Sequence, residues 1–154
     1  MPTLFFEMKI IKHTFKIPQL SIVNGELVEN GSVEETYTFT LLHKGIGLYE
    51  EMAGEPLLNT ILNINIDDEM QMAKIVLNKQ FILNLASASY VKLDENKFHN
   101  NRATCEEFKK LPVANYITDI DFVLKLIQMA TDCVVDYSKQ NKGKKEKKKE
   151  TGKK

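Results

Sequence analysis

The fold class is decided by residues 33–54, which read VEETYTFTLLHKGIGLYEEMAG. In the first part, apolar and polar side chains alternate, with Val33, Tyr37 and Phe39 on one side and threonines on the other. Such alternation predicts a half-buried β-strand. From Lys44 onward the apolar residues recur at helical spacing, and Gly54 is a natural helix end. β structure followed by α structure indicates an α+β fold.

The preceding residues extend the β-rich region, which we place at 3–42. Two Asn-Gly pairs, Asn24-Gly25 and Asn30-Gly31, are strong hairpin signals. Pro18 is expected to interrupt the first strand, because proline cannot donate to a sheet ladder. We expect an N-terminal antiparallel β-hairpin or small sheet of two to four strands.

The following residues, 44–139, predict a bundle of about four to five helices. Pro56 suits the start of one helix, and Asp67 or Asp68 can cap the next, which runs roughly to Tyr90. The stretch KLDENKFHNNRA, residues 92–103, is predicted to be a polar loop. Two further helices are expected to begin at capping boxes, formed by Thr104 with Glu107 and by Thr118 with Asp121.

Charge divides the chain into a body and a tail. The formal net charge is zero, but residues 142–154 contain eight lysines and two glutamates, so the remainder is acidic by six charges. We therefore predict a single globular domain over 1–140 and a disordered, lysine-rich tail over 141–154. An acidic body is a poor surface for nucleic acid, so no specific nucleic-acid partner is expected.

No pattern in the sequence predicts a catalytic, cofactor or metal site. The only GxG, at residues 45–47, lacks the rest of a phosphate-binding motif. His13, His43 and His99 are too far apart in sequence to form a metal motif, and we expect them in loops or in solvent. Cys105 and Cys133 are expected to be reduced, half-buried thiols. We do not expect an enzyme.

The sequence also carries no membrane or export pattern. No segment reaches the ~18 apolar residues that a membrane span requires. The N-terminal patch has Glu7 early and no small-residue cleavage site, so it does not read as a signal peptide. We expect a cytoplasmic protein.

One predicted helix is apolar over an unusually wide face. Two interpretations stay open: a helix buried on two sides, or a face that accepts a partner's amphipathic helix. Under the second interpretation, the candidate partner-binding residues are Met72, Ile75, Phe81, Ile82 and Leu85.

Two stretches resemble the tail assembly chaperones of long-tailed bacteriophages of Gram-positive hosts. The first is YTFTLLHKGIGLYEEMAGEPLLNTI, residues 37–61, in which Ile46, Tyr49, Glu50 and Gly54 match an "apolar-x-x-aromatic-Glu-x-x-x-Gly" helix after a strand. The second is CEEFKKLPVANYITDIDFVLKLIQMATDCV, residues 105–134. The resemblance implies a non-catalytic protein of the host cytoplasm that binds the tape measure protein, and perhaps tail tube subunits, and is absent from the mature virion.

The resemblance gives the basic tail a second meaning. Many such chaperone genes have a programmed −1 frameshift near their end, at A-rich heptamers that encode paired lysines. The candidate lysines here are Lys144, Lys145, Lys148, Lys149, Lys153 and Lys154. A solubilising tail is the alternative.

Two other functions stay open. The β-rich start would suit a structural virion component, such as a tail tube or connector subunit. The lysine tail would suit a protein that contacts nucleic-acid phosphates, although Arg102 is the only arginine available for base readout.

Overall fold

The structure, a computed structural model, describes the backbone of residues 10–151 and the side chains of residues 10–136. In this range it confirms the predicted α+β fold, with a four-stranded antiparallel sheet and six α-helices. The elements in chain order are β1 (Ile11–Val23), β2 (Glu26–Phe39), α1 (His43–Ala53), α2 (Leu57–Leu62), α3 (Glu69–Leu77), α4 (Lys79–Ser89), β3 (Tyr90–Asp94), β4 (Lys97–His99), α5 (Arg102–Lys110), a 3-10 helix (Pro112–Asn115) and α6 (Ile120–Thr151).

A long hairpin of β1 and β2 dominates the sheet. The strands pair from Ile11 opposite Phe39 to Val23 opposite Glu26. The turn between them is Asn24-Gly25, where φ is 52° and 77°. A two-residue hairpin turn that matches the strand twist requires positive φ at both positions, which Asn and Gly accept. The first predicted hairpin turn is therefore confirmed.

The second Asn-Gly pair and Pro18 do not act as predicted. β1 continues through Pro18, and the register shifts between Pro18 and Leu20, so that Asn30 and Gly31 lie opposite the single residue Gln19. This is a β-bulge, with Gly31 at φ 85°. In the described part of the chain β1 is an edge strand, and edge strands and bulges are the places where a sheet tolerates proline.

The polar loop predicted at residues 92–103 is wrong over most of its length. Those residues contain most of β3, all of β4 and the start of α5. The turn between the two strands is Glu95-Asn96, with φ of 46° and 68°. β3 joins the sheet beside β2, with Thr38 opposite Val91.

The predicted helix boundaries are correct where a single side chain or glycine defines them. Gly54, at φ 74°, ends α1, and the Asp68 carboxylate accepts hydrogen bonds from the first turn of α3. The single helix expected up to Tyr90 is instead two helices, because Asn78 ends α3 and its side chain accepts from Phe81 N to begin α4.

Both predicted capping boxes are shifted. α5 begins at Arg102, since Asn101 is the N-cap and Thr104 occupies the third helical position of the box. At α6 the carboxylate of Asp119 accepts from Asp121 N. In each case the asparagine or aspartate nearest the helix start is the cap.

The core lies between the inner face of the hairpin base and the helices. The Phe122 ring of α6 contacts Phe15 of β1 and Phe39 of β2, with centroids 4.9 Å apart in both pairs. Phe108 of α5 packs edge-on against Phe39 at 5.6 Å. α6 is thereby held against the sheet by aromatic burial.

The helical backbone of α6 continues to Thr151 and so overlaps the segment for which the sequence predicts a disordered tail. Lysine and glutamate are good helix formers, and no proline interrupts them. Residues 3–9 of the predicted β region, and Lys153 and Lys154, lie outside the described residues, as do the side chains of Lys144, Lys145, Lys148 and Lys149.

Candidate partner-binding surface

The partner-binding residues predicted from the sequence lie in the core. Four are buried and Ile75 is half-buried; the buried ones are Met72, Phe81, Ile82 and Leu85. The Phe81 ring packs edge-on against Tyr49, with centroids 6.2 Å apart. The interpretation of a helix buried on two sides therefore fits α4, whereas α3 buries only Met72. A charged substitution at Phe81 would therefore disturb the fold before it could report on a partner.

Exposed apolar surface is found instead beside the start of α6, in a groove of about 510 Å³. We call it the α6 groove. Seven residues line it: Ile10 and Ile11 at the start of β1, Ile66 between α2 and α3, and Leu124, Lys125, Gln128 and Met129 on α6. It is a depression that is open to solvent, not an enclosed pocket.

Local geometry explains the groove's shape. On α6, Leu124 with Gln128 and Lys125 with Met129 are four residues apart, so they form adjacent ridges along the helix. Met129 is buried and forms part of the floor, whereas Ile10 and Ile66 are exposed at 55% and 38%. Lys125 is the single charged residue of the lining, so the groove is apolar with a basic rim.

A second apolar surface lies on the far part of the β1–β2 hairpin. We call residues 18–33 the arm, since the side chains of residues 19–33 are exposed apart from half-buried Ser21. Leu20, Ile22 and Leu27 are 55%, 75% and 69% exposed. Ile22 lies opposite Leu27 in the ladder, and Leu20 is two residues from Ile22, so the three share one face. We call these three residues the arm tip.

The arm tip points away from the body of the protein. On β1, His13, Phe15 and Ile17 are buried, while the alternate residues Lys12 and Lys16 are exposed. Leu20 and Ile22 follow the exposed set, because side chains alternate along a strand. The arm tip could have been found from this alternation in KHTFKIPQLSI, where the polar face turns apolar after Pro18.

Burial raises the pKa of both cysteine thiols. Burial, reinforced by Asp136, raises the pKa of the Cys133 thiol to about 11, and burial also raises the pKa of Cys105. Because their pKa values are raised, both thiols are protonated near neutral pH and are poor nucleophiles. Burial, followed by the charge of Glu55, also raises the pKa of Tyr49.

His13 differs from the expectation of loop or solvated histidines, whereas His43 is exposed at the start of α1. His13 is buried, and its Nε2 lies 3.1 Å from Asp119 Oδ2, while its ring packs on Phe15 with centroids 4.7 Å apart. Within the described residues, no three His, Cys, Asp or Glu side chains are grouped so as to hold a metal ion. No helix in that same range is both long and apolar enough to cross a membrane.

Comparison with known proteins identifies no relative: no protein-family model matches the chain, and neither a curated protein nor a solved structure matches it. The likeness to tail assembly chaperones is therefore one of sequence motifs.

Proposed function

We propose that this protein is a non-catalytic tail assembly chaperone that binds an amphipathic helix of a phage tape measure protein in the α6 groove. The observation that carries the proposal is the groove itself, an open apolar surface built along a helix. Amphipathic helices bind such grooves through apolar residues at positions i, i+3 or i+4, and i+7. The Lys125 side chain at the rim can pair with an acidic residue that lies beside the apolar stripe of the bound helix.

The mechanism needs no nucleotide. A tape measure protein is long and helical, and before assembly its apolar stripe has no partner. The chaperone covers the stripe, and packing by tail tube subunits then displaces it, since the state with the more favourable contacts is populated. Tail tube subunits are a second partner in this scheme, and the host cytoplasm is the place of action.

The test is co-expression with the tape measure protein from the same genome, scored by the soluble fraction of that protein. Ile66→Asp places a charge in the groove at a position that is 38% exposed, and we expect the fold to be retained. Leu93→Asp is the matched control, because Leu93 is 66% exposed on β3 and does not line the groove. We expect Ile66→Asp to reduce solubilisation several-fold and Leu93→Asp to leave it unchanged.

Circular dichroism of both variants provides the folding control. Equal solubilisation by the wild type and by folded Ile66→Asp would contradict binding in the groove. Sequencing the 3′ end of the gene gives independent support if it shows an A-rich slippery heptamer, an overlapping −1 frame and a long helical neighbour. That result would also explain the paired lysines after residue 143.

The exposed apolar face of the arm supports a second candidate function, that of a structural component of the virion. A projecting hairpin with an exposed apolar face is suited to packing against a neighbouring subunit. Mass spectrometry of purified particles separates the two functions. A stoichiometric amount of this chain in the mature particle would favour the structural role, and its absence would favour the chaperone.

A further inference from the structure

We infer that the arm tip of one chain binds in the α6 groove of a second copy, so that the protein associates head to tail. The inference goes beyond the proposed function, because it concerns the chain alone and would hold whether or not a tape measure protein is the partner.

Within the described residues, the arm tip is not covered by its own chain. The groove begins at Ile10 and Ile11, at the base of the hairpin, and Ile22 lies eleven residues further along β1. At about 3.3 Å per residue this separates the two surfaces by roughly 36 Å. The arm tip also faces away from the body. Contact between arm tip and groove must therefore join two molecules.

The two surfaces are both apolar. The arm tip presents three aliphatic side chains on a narrow two-stranded ribbon. The groove is apolar and, at about 510 Å³, has room for such side chains. Both include side chains that are exposed to solvent, with Ile22 at 75% and Ile66 at 38%. Their association would remove apolar surface from water on both molecules.

Charge favours a second copy as the occupant. Glu29 lies opposite Leu20 in the ladder and shares the face of the arm tip, so a carboxylate lies beside the three aliphatic side chains. The groove has Lys125 at its rim, and no acidic residue lines it. Two arm tips placed against each other would instead bring like charges together, which opposes a tip-to-tip dimer.

The symmetry of the assembly follows from these positions. In the head-to-tail arrangement each chain donates an arm tip to one neighbour and accepts one from another, whereas in a two-fold dimer two chains would exchange both arm tips. The heterologous contacts of the head-to-tail arrangement close into rings or continue as filaments, depending on the rotation between copies. The groove would then be occupied by a second copy until a stronger ligand displaces it.

The test is sedimentation velocity of the full-length protein over a range of concentrations. The variants are Ile22→Asp on the arm tip and Ile66→Asp in the groove, with Leu93→Asp as the control at a position that is also exposed but belongs to neither surface. We expect concentration-dependent association for the wild type and for Leu93→Asp. We expect Ile22→Asp and Ile66→Asp to remain monomeric. Circular dichroism shows whether each variant is folded.

A mixture of the two monomeric variants makes the test specific. The Ile66→Asp chain keeps an intact arm tip, and the Ile22→Asp chain keeps an intact groove. An equimolar mixture should therefore form one contact and stop at a heterodimer. The inference is overturned if the wild type stays monomeric, if folded Ile66→Asp associates like the wild type, or if the mixture forms no heterodimer. None of these measurements involves a tape measure protein, so failure here leaves the proposed function standing.

Discussion

His13 and Asp119 connect the base of the β1–β2 hairpin to the start of α6, although they are 106 residues apart in sequence. The imidazole Nε2 lies 3.1 Å from Oδ2 of the carboxylate. The other carboxylate oxygen accepts a hydrogen bond from Asp121 N at 3.0 Å. A single side chain therefore caps α6 and holds the two elements that supply Ile11 and Leu124 to the groove.

Replacing Asp119 with alanine should lower the free energy of unfolding by about 1–2 kcal/mol, because the helix loses its cap and buried His13 loses its partner. Asp119→Asn keeps a side-chain oxygen for the cap, so it should lose less. Urea unfolding of both variants measures the difference. Equal stability of Asp119→Ala and the wild type would show that this contact does not hold the groove together.

Replacement of Gly45 or Gly47 of α1 by alanine should change the stability of the protein in opposite directions. A Cβ at Gly45 would lie 2.9 Å from the Ala88 carbonyl oxygen of α4 and 2.9 Å from Leu41 Cδ1, whereas a Cβ at Gly47 meets nothing within 4 Å. Gly45→Ala should therefore destabilise the protein by about 1–3 kcal/mol through overpacking. Gly47→Ala should be neutral or stabilising by up to about 1 kcal/mol, since alanine favours helices. Thermal unfolding of the pair tests the close approach of α1 to α4.

Cys133 should react slowly with iodoacetamide at neutral pH. Burial and Asp136 raise its pKa to about 11, so the reactive thiolate should increase about tenfold per pH unit until that value is approached. Cys105 is fully buried and should react only when the protein unfolds. Peptide mass spectrometry after timed labelling, with Cys133→Ser as the control, follows both thiols. Complete labelling of Cys133 within minutes at pH 7 would contradict the burial.

Stability should decrease at alkaline pH. The folded protein raises the pKa of Tyr37, Tyr49 and Tyr90, with burial as the largest cause in each case. Below about pH 9 these phenols are protonated in both states and add no pH dependence. Above about pH 10 the unfolded chain loses the protons first, so the free energy of unfolding falls as pH rises. Tyr49→Phe should reduce that slope in urea unfolding between pH 9 and pH 11.

A partner helix should dissociate the self-associated protein, because the proposed function and the arm contact use the same groove. Titration with a soluble amphipathic segment of the tape measure protein should convert the assembly to monomers carrying one bound segment. Sedimentation velocity with a labelled segment measures both events together. Binding of the segment without dissociation would show that the two ligands occupy different surfaces.

Several features could be predicted from the sequence because they depend on a few neighbouring residues. The turn at Asn24-Gly25, the end of α1 at Gly54 and the cap at Asp68 each involve one or two side chains acting on the adjacent backbone. The Glu95-Asn96 turn was missed since neither residue is a glycine, and its positive φ values depend on the pairing of β3 with β4.

The location of the binding surface could not be predicted in this way. Phe81 and Ile22 are both apolar, yet Phe81 is 9% exposed and Ile22 is 75% exposed. The sequence by itself determined the α+β class, the hairpin and the apolar character of each segment, because periodicity and capping are local. Only the tertiary structure decided which apolar residues are covered, because burial depends on packing between residues far apart in the chain. The same packing brings β1, the α2–α3 connection and α6 together to form one groove.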